Sequence, residues 1–342
     1  MLAWQAQYGR SGLPWQGQRD PYRVWLSEIM LQQTQVVTVL DYYPRFLQRF
    51  PTVAALAAAP LDDVLALWSG LGYYSRARNL HRCARSVVLD FAGSFPPTAQ
   101  LLQSLPGIGR STAAAIAAFC YGERVAILDA NVKRVLTRAL GYGHDLSMAV
   151  HERNLWDQAT KLLPTAQLAT SMPRYTQGIM DLGATLCTAR KPACARCPLA
   201  SQCVAYAQAA PENYPVKTRK LKRSSQSVWL LCAHKTTPIA KSVFLTQRPT
   251  PGVWAGLYSL PMFDSREALV AKLSPAQQAR CVDAPALLHV LTHKDMHLHV
   301  VHVAWDEATV LQSQGQWAQL SDLNRIGLPA PIGKLLRNLL AG

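Results

Sequence analysis

Hydrophobic positions follow a helical period through the first three fifths of the chain. From residue 20 to about residue 207, apolar residues recur at spacings of three and four, and β-branched runs are few. Asp20 followed by Pro21 is a typical helix start, and this helix is expected to run through Leu40. Further helices are predicted over residues 54–68, 75–90, 98–104, 111–120, 131–139 and 149–162.

The pattern changes after a basic segment with two prolines, PENYPVKTRKLKRSSQ, at residues 211–226. This composition is typical of a linker. Beyond it, SVWLLCAH, SVFLTQR and LHVLTHKDMHLHVVHVAW are predicted to contain strands, and residues 329–340 a closing helix. We therefore predict a mainly α domain at residues 1–207, a linker at 208–224 and an α+β domain at 225–342.

The charge of the chain indicates a polyanionic partner. Lys and Arg number 35 against 20 Asp and Glu, which gives a net charge of +15 and a pI near 9.7. Nucleic acid is the first partner to consider, the alternative being a generally basic soluble protein. No apolar run approaches the roughly 20 residues of a membrane helix, and the amino terminus lacks a signal-peptide pattern. We therefore expect a soluble intracellular protein that does not engage membranes.

Four of the eight cysteines form a compact cluster in the sequence. Cys187, Cys194, Cys197 and Cys203 have the spacing C-x6-C-x2-C-x5-C. Four thiolates this close together can surround one tetrahedral metal ion or a four-iron cluster, and the spacing alone does not separate structural zinc from iron–sulfur. Arg190, Lys191 and Arg196 lie inside the loop, where they could meet phosphates. The scattered cysteines are interpreted as small buried apolar residues, namely Cys83, Cys120, Cys232 and Cys281.

A glycine-rich turn precedes an alanine-rich run in LPGIGRSTAAAIAAF, which begins at Leu105. Pro106, Gly107 and Gly109 permit a tight turn between two short helices whose free backbone N–H groups can face an anion. The same glycines also suit a plain connection between helices. The motif is therefore a candidate phosphate clamp.

Two carboxylates stand in unusual surroundings. Glu28 in WLSEIMLQQTQV has apolar neighbours one helical turn away, and burial of a carboxyl group raises its pKa toward that of a useful acid. The alternative is an ordinary solvated glutamate. Asp129 lies between an apolar run and a new helix in AILDANVKRVLTRAL, where an N-cap role is expected. Both residues are candidates for acid–base chemistry.

These motifs together resemble one enzyme family. The stretches VWLSE, MLQQTQV, GLGYYSRARNL and MDLGA, with the turn and the cysteine loop, resemble the MutY family of adenine DNA glycosylases within the helix-hairpin-helix, endonuclease III superfamily. The resemblance covers most of residues 13–203. It implies a mainly α helix-hairpin-helix glycosylase domain with a [4Fe–4S] cluster loop, followed by an α+β Nudix-like domain.

The resemblance also implies roles for single residues. Glu28 would be the catalytic acid, Asp129 would face the deoxyribose, and Asn131 and Ser111 would support them by hydrogen bonds. A second set would bind DNA or border the flipped adenine: Trp15, Gln33, Thr34, Tyr73, Pro106, Gly107, Gly109 and Gln177.

Ser111 separates two possible activities. Superfamily members that also cut the backbone use a lysine just after the hairpin, where this chain reads GIGRST. We therefore expect a monofunctional enzyme that leaves an abasic site. The alternatives are an endonuclease III-like glycosylase and lyase for oxidised pyrimidines, and a non-catalytic iron–sulfur DNA-binding protein.

The stretch QRPTPGVWAGLYSLP resembles the carboxy-terminal domain of the MutY family, itself similar to Nudix hydrolases. A Nudix template started at Gly252 places Tyr258, Val270 and Ala271 where metal-binding glutamates belong, so hydrolysis is not expected. The resemblance implies a reader of 8-oxoguanine instead. Thr292 and His293 stand where the family has Ser and His, and Leu291 replaces its Phe.

Five histidines of the same domain fall within residues 289–302, and alternating strand histidines usually pack or face phosphates rather than bind metal. They are His289, His293, His297, His299 and His302. The complete expectation is a monomeric cytoplasmic, nucleoid-associated enzyme of base excision repair. Its substrate would be double-stranded DNA with adenine opposite 8-oxoguanine or guanine.

Overall fold

The computed structural model describes residues 1–216, 218, 222–237, 240–305 and 314–341. The chain divides into two compact units, the first formed by Met1–Ala58 and Asn79–Lys220, the second by Ala59–Arg78 and Leu221–Gly342. The segment Ala59–Arg78 thus belongs with the carboxy-terminal part of the chain, although it lies within the stretch expected to form the helical domain. Part of the linker expected at residues 208–224 falls outside the described residues.

Helices dominate the chain as far as residue 207, as predicted. They are α1 (Leu2–Tyr8), α2 (Pro21–Leu31), α3 (Val36–Arg49), α4 (Val53–Ala58), α5 (Leu61–Leu67), α6 (Ser75–Asp90), α7 (Ala99–Leu102), α8 (Arg110–Ile116), α9 (Ala130–Leu140), α10 (Ala149–Lys161), α11 (Leu168–Thr185) and α12 (Val204–Ala207). A π turn extends α8 over Ala117–Tyr121. Among the described residues, no helix is long and apolar enough to cross a membrane.

The predicted helix through Leu40 is wrong, because α2 stops at Leu31 and α3 begins at Val36. Its start is confirmed, since the Asp20 side chain accepts a hydrogen bond from the Tyr22 backbone N–H at 2.9 Å. Gln33 has a φ of +56°, a left-handed conformation that a continuous α-helix does not allow. The predicted helix over residues 54–68 is likewise two helices, separated at Pro60.

One hydrophobic cluster of the first unit forms where α9, α10 and α11 pack together. Its buried side chains include Val135, Leu155 and Leu182. Gly183 on α11 faces α9, and a Cβ there would lie 2.7 Å from the Asn131 Cβ. Glycine at this position therefore lets the two helices approach closely beside Asn131.

The second unit contains one mixed sheet of eight strands among the described residues. The strands are β1 (Ser224–Thr236), β2 (Lys241–Gln247), β3 (Tyr258–Ser259), β4 (Met262–Phe263), β5 (Val282–Asp283), β6 (Leu287–Val290), β7 (Lys294–Ala304) and β8 (Gln316–Gln319). Of these, β1, β2, β6 and β7 lie in the stretches predicted to contain strands, and the other four were not predicted. The strand order is β3-β2-β1-β7-β5, with β4 beside β1, β6 beside β7 and β8 beside β2. Besides α5, which lies in Ala59–Arg78, its helices in the described carboxy-terminal residues are α13 (Arg266–Val270), α14 (Pro275–Gln278) and the predicted closing helix α15 (Ala330–Ala341).

Strands β1 and β7 run parallel over their whole pairing, from Ser224 opposite Lys294 to His234 opposite Ala304. One face of this pair packs into a hydrophobic cluster that includes Leu231, Val301 and Val303. Because side chains alternate along a strand, Cys232 and His302 point to the other face.

Candidate active site

A cavity of about 860 Å³ opens in the first unit. Six residues that the sequence analysis selected line this one cavity: Trp15, Glu28, Thr34, Asp129, Asn131 and Gln177. They come from four separate parts of the chain, so the fold assembles them. A cavity of this size and partly polar lining is typical of a small-molecule or nucleoside pocket.

Glu28 reaches the cavity from helix α2, between the buried residues Ser27 and Ile29. Burial raises the pKa of Glu28 to about 8, and the negative charge of Asp129 adds to the rise. Glu28 therefore holds a proton at neutral pH, which is the state a general acid requires.

Asp129 begins helix α9 as its N-cap, as expected, and accepts a hydrogen bond from the Val132 backbone N–H at 2.7 Å. Burial raises its pKa, although hydrogen bonds from Val132 and Asn131 and the charges of Arg134 and Lys133 oppose the rise. The capping contact fixes the carboxylate at the cavity wall. The two acids therefore share one cavity and influence each other electrostatically.

Ser111 acts on Asp129 through the backbone. Its Oγ accepts a hydrogen bond from the buried Leu128 N–H at 2.9 Å, which fastens the residue before Asp129 to helix α8. Ser111 is not among the residues that line the cavity. The structure therefore places Ser111 beside the backbone that precedes Asp129 and not in the cavity lining.

Gln177 is held by a buried carboxylate that the sequence analysis overlooked. The Gln177 Nε2 donates to Asp181 Oδ1 at 2.8 Å, and Arg10 Nε donates to the same oxygen at 2.7 Å. Asp181 has no exposed surface, so the pair with Arg10 supplies the partner that a buried charge needs. The signal was available, since Asp181 lies inside the MDLGA stretch. Trp15 packs edge-on against Tyr43, with ring centroids 5.5 Å apart.

The hairpin lies between α7 and α8, and its two glycines have different reasons to be glycine. Gly107 has a φ of +78°, and a Cβ there would lie 2.6 Å from the Asn79 Cβ, so the fold requires it. Gly109 caps α8 with a φ of −81°, and among the described residues a Cβ there would meet no atom within 4 Å. Gly109 and the half-buried Pro106 therefore leave the turn open to an outside group.

The remaining selected residues lie outside the cavity lining. Gln33 is exposed in the turn between α2 and α3. Tyr73 belongs to the second unit, has a φ of +47° and shares a hydrogen bond with Thr292, whose Oγ1 lies 2.6 Å from its hydroxyl. His293 is also exposed, and its carbonyl accepts from the Ser224 N–H at 3.1 Å. Non-glycine residues in left-handed conformations such as those of Gln33 and Tyr73 concentrate at functional sites.

The four loop cysteines line one small cavity in the first unit, together with Arg138. Arg138 is 2% exposed and donates to the Thr188 carbonyl at 2.7 Å and to the Cys187 Sγ at 3.4 Å. Arg134 donates to the Cys187 carbonyl at 2.7 Å. Convergent thiols with buried cationic neighbours fit an anionic iron–sulfur cluster. Sequence analysis missed both arginines.

Three parts of the chain match known domain families. Residues 26–158 match the HhH-GPD superfamily of base excision DNA repair proteins, residues 187–203 the iron-sulfur binding domain of endonuclease III, and residues 238–338 the NUDIX domain. A thermostable thymine-DNA glycosylase is similar in structure, with 28% identity and a TM-score of 0.53 over 60% of this chain and 93% of that chain. Endonuclease III in a DNA complex shares the fold, at 22% identity and a TM-score of 0.50 over 61% and 92%.

The fold, the cavity and the cysteine loop together define a base excision DNA N-glycosylase of the helix-hairpin-helix superfamily that carries a [4Fe–4S] cluster. The adenine DNA glycosylase of Buchnera aphidicola from Acyrthosiphon pisum is 34% identical over 99% of this chain and 96% of that protein. The adenine DNA glycosylase of Mus musculus is 34% identical over 90% of this chain and 70% of that protein. That of Homo sapiens is 30% identical over 98% of this chain and 72% of that protein. This chain belongs to the adenine DNA glycosylase family. The resemblance and the fold class expected from the sequence are thereby confirmed.

Proposed function

We propose that the enzyme excises adenine paired with 8-oxoguanine or guanine in double-stranded DNA, by hydrolysis, in base excision repair. The observation that carries this proposal is the shared cavity of Glu28 and Asp129, in which Glu28 is protonated at neutral pH. The adenine must leave the base stack to reach such a cavity.

Glu28 supplies the proton that adenine needs in order to leave. An adenine anion is a poor leaving group, and protonation at its N7 lets the base depart neutral as the bond to the sugar breaks. General acid catalysis of this kind is typically worth about a hundredfold to ten-thousandfold. Trp15 and Gln177 border the same cavity and are placed to hold the extruded base.

Asp129 balances the charge that develops on the sugar. As the bond breaks, the deoxyribose acquires oxocarbenium character, which an adjacent carboxylate stabilises by charge or traps as a covalent adduct before water adds. Glu28, ionised after the proton transfer, can then accept a proton from the attacking water. Ser111 and Asn131 keep the start of α9 in place for this step.

Hydrolysis without strand cleavage follows from the residue at position 111. A serine stands where lyases of the superfamily hold a lysine nucleophile, and this serine is engaged with the Leu128 N–H. We expect purified enzyme to release adenine while leaving the strand intact until heat or alkali is applied. Strand cleavage at the rate of adenine release would contradict this assignment and favour a glycosylase and lyase.

DNA phosphates would be held at two places in the first unit. The open turn at Gly109 presents backbone N–H groups at the start of α8, and the cysteine loop exposes Arg190, Lys191 and Arg196. When bound, the [4Fe–4S] cluster ties the four thiolates together and so holds this basic loop in one conformation.

Recognition of the opposite base is proposed for the second unit. Tyr73 and Thr292 join by a hydrogen bond there, beside the exposed His293, and Gln33 in the first unit would fill the gap left by adenine. Because the cavity takes its residues from a single chain, we propose that the enzyme acts as a monomer, at the nucleoid in the cytoplasm.

Single-turnover adenine release from duplexes with 8-oxoguanine, guanine or thymine opposite tests the proposal. Glu28→Gln keeps the shape of the side chain and should slow release by at least about a hundredfold. Glu267→Gln is the matched control, because Glu267 is exposed in the second unit and is not among the residues that line the cavity. Unchanged release in Glu28→Gln would refute the catalytic assignment, and equal rates for the three opposing bases would refute lesion recognition.

A further inference from the structure

Three side chains of metal-binding type meet at one point of the sheet in the second unit. Cys232 and His234 are two residues apart on β1, and His302 stands directly opposite Cys232 in the parallel register with β7. All three therefore project from one face of the sheet, away from the hydrophobic cluster around Leu231 and Val301. The Cys232 Sγ and a nitrogen of each histidine lie within 4.8 Å of one another.

These groups are arranged to donate electron pairs to a cation. The His234 Nδ1 lies 3.3 Å from the Cys232 carbonyl oxygen, which can only accept, so the tautomer that makes this hydrogen bond carries its hydrogen on Nδ1 and leaves the Nε2 lone pair for a cation. A backbone carbonyl that orients a histidine in this way is the usual second contact of a metal-binding imidazole. Cys232 is fully buried while both histidines are half-buried, so a cation can enter past the imidazoles.

We propose that Cys232, His234 and His302 bind one Zn²⁺, with a water molecule as the fourth ligand. Zinc favours thiolate and imidazole in tetrahedral sites, with Zn–S of about 2.3 Å and Zn–N of about 2.0–2.1 Å. In a tetrahedral site with these bond lengths, two ligand atoms lie about 3.3–3.6 Å apart, so rotations of the side chains that move the ligand atoms by about 1 Å complete the site. The Cys232 thiol releases its proton to solvent as the Zn–S bond forms.

Two other histidines of this domain pack on tryptophan rings, whereas the rings of His234 and His302 lie near each other, with centroids 6.3 Å apart. His299 stacks on Trp229 with ring centroids 4.5 Å apart, and His289 lies against Trp254 at 5.6 Å. The interpretation of the strand histidines as packing groups therefore suits these two. For His302 and Cys232 we replace it, because the register of β1 with β7 brings them together.

The site would fasten β1 to β7 rather than touch the damaged base. His302 lies eight residues along β7 from Lys294, which at about 3.3 Å per residue is about 26 Å from the strand end that follows Thr292 and His293. Zinc should therefore change the stability of the second unit and leave the preference for the opposing base unchanged. Failure of this inference would not affect the proposed glycosylase activity.

The test is zinc binding by the full chain with its iron–sulfur cluster intact, which iron content and visible absorption verify. Competition with a chromophoric zinc chelator should reveal one zinc per chain. Cys232→Ala and His302→Asn should each weaken binding by at least about a hundredfold, since each removes a direct ligand. Cys281→Ala and His297→Asn are the matched controls, because His297 lies on the other face of β7.

X-ray absorption at the zinc edge identifies the ligands in the unsubstituted protein, so the test does not depend on whether Cys232→Ala folds. One sulfur near 2.3 Å and two nitrogens near 2.0–2.1 Å are expected. A zinc-dependent rise in the midpoint of thermal unfolding would support the site independently. This rise should be lost in His234→Asn, a substitution at a half-buried position. Absence of stoichiometric zinc, a four-sulfur shell, or equal affinity in Cys232→Ala and Cys281→Ala would overturn the proposal.

Discussion

The two units of the chain place glutamates in opposite environments. In the first unit Glu28 lines a cavity, and burial beside Asp129 raises its pKa to about 8. In the second unit, Glu267 lies on α13 but is exposed, and hydrogen bonds from its own backbone and from Ser265 lower its pKa. The same side chain is thus an acid in one unit and an ordinary surface carboxylate in the other.

The comparison shows that fold and chemistry are separable in this chain. The second unit keeps a Nudix-like sheet, yet Tyr258, Val270 and Ala271 stand where metal-binding glutamates would be. The first unit keeps both its helical fold and its two buried acids. Activity should therefore follow the buried carboxylates and be insensitive to the exposed ones.

The largest expected effect is that of Asp129→Asn. Asparagine caps a helix as well as aspartate does, so α9 should stay intact while the negative charge facing the sugar is lost. Single-turnover adenine release should fall by about a hundredfold to a thousandfold. Asp157→Asn, on the exposed side of α10, is the control. A loss below threefold would place Asp129 outside the chemistry and leave it as a helix cap.

The pH dependence of the reaction is the next test of the same contrast. Glu28 must be protonated to act as an acid, so the single-turnover rate should be lost as pH rises through about 8, by about tenfold per unit. At low pH the rate should fall as Asp129 gains a proton, above the usual range for aspartate because its pKa is raised. The residual activity of Glu28→Gln should lack the alkaline decline. Persistence of that decline in this variant would assign it to another group.

Local sequence was sufficient to predict the surroundings of the two acids. Glu28 lies in a periodic apolar helix and Asp129 follows an apolar run, so burial of the first and capping by the second were predictable from neighbouring residues. Helix positions were predicted equally well where apolar periodicity is clear, as in α6 and α10. The break at Gln33 was missed because apolar periodicity continues across it.

Contacts between distant residues could not be predicted in this way. Asp181 meets Arg10 across 171 positions, and Tyr73 meets Thr292 across 219. Neither pairing can be predicted from the periodicity of the sequence, because each depends on how whole helices, strands and loops pack. The assignment of Ala59–Arg78 to the second unit also depends on contacts between distant residues. For example, the Tyr74 hydroxyl donates to the Leu328 carbonyl at 2.9 Å.

The effect of rising pH on the stability of the protein should have opposite signs for Glu28 and Glu267. Burial raises the pKa of Glu28 in the folded protein from its usual value of 4.5 to about 8, so the protein loses stability as pH rises from about 4.5 through about 8. Glu28→Gln removes the cost of burying an ionised carboxylate. The substitution should therefore raise the midpoint of thermal unfolding more at pH 9 than at pH 5, and the difference should be at least about 2–4 °C.

Glu267→Gln should show the opposite sign. Because the pKa of Glu267 is lower in the folded protein than in the unfolded chain, the ionised side chain stabilises the fold at pH values above the unfolded pKa. This stabilisation is lost as the pH falls through the folded pKa. Its replacement should therefore lower the midpoint slightly at pH 9 and have no effect in strong acid. Equal shifts for the two variants at pH 9 would remove the environmental contrast between the units.

The smallest expected effect concerns the hydrogen bond between Tyr73 and Thr292. Both residues are exposed in the second unit, and a net hydrogen bond of this kind is worth about 0.5–1.5 kcal/mol. Thr292→Val and Tyr73→Phe each remove the bond while keeping the size of the side chain. Each should reduce the preference for 8-oxoguanine over guanine opposite adenine by about twofold to tenfold, which is that energy expressed as a ratio.

The double variant decides whether the two residues act as one recognition element. If their hydrogen bond positions the hydroxyl that meets the lesion, the second substitution should cost little once the first is made, so the effects should not add. Because the cavity lies in the first unit, adenine release opposite guanine should stay within about twofold of the unsubstituted rate. Fully additive losses would show that Tyr73 and Thr292 contact the DNA independently. A parallel fall in both rates would show that the second unit contributes to binding rather than to discrimination between the opposing bases.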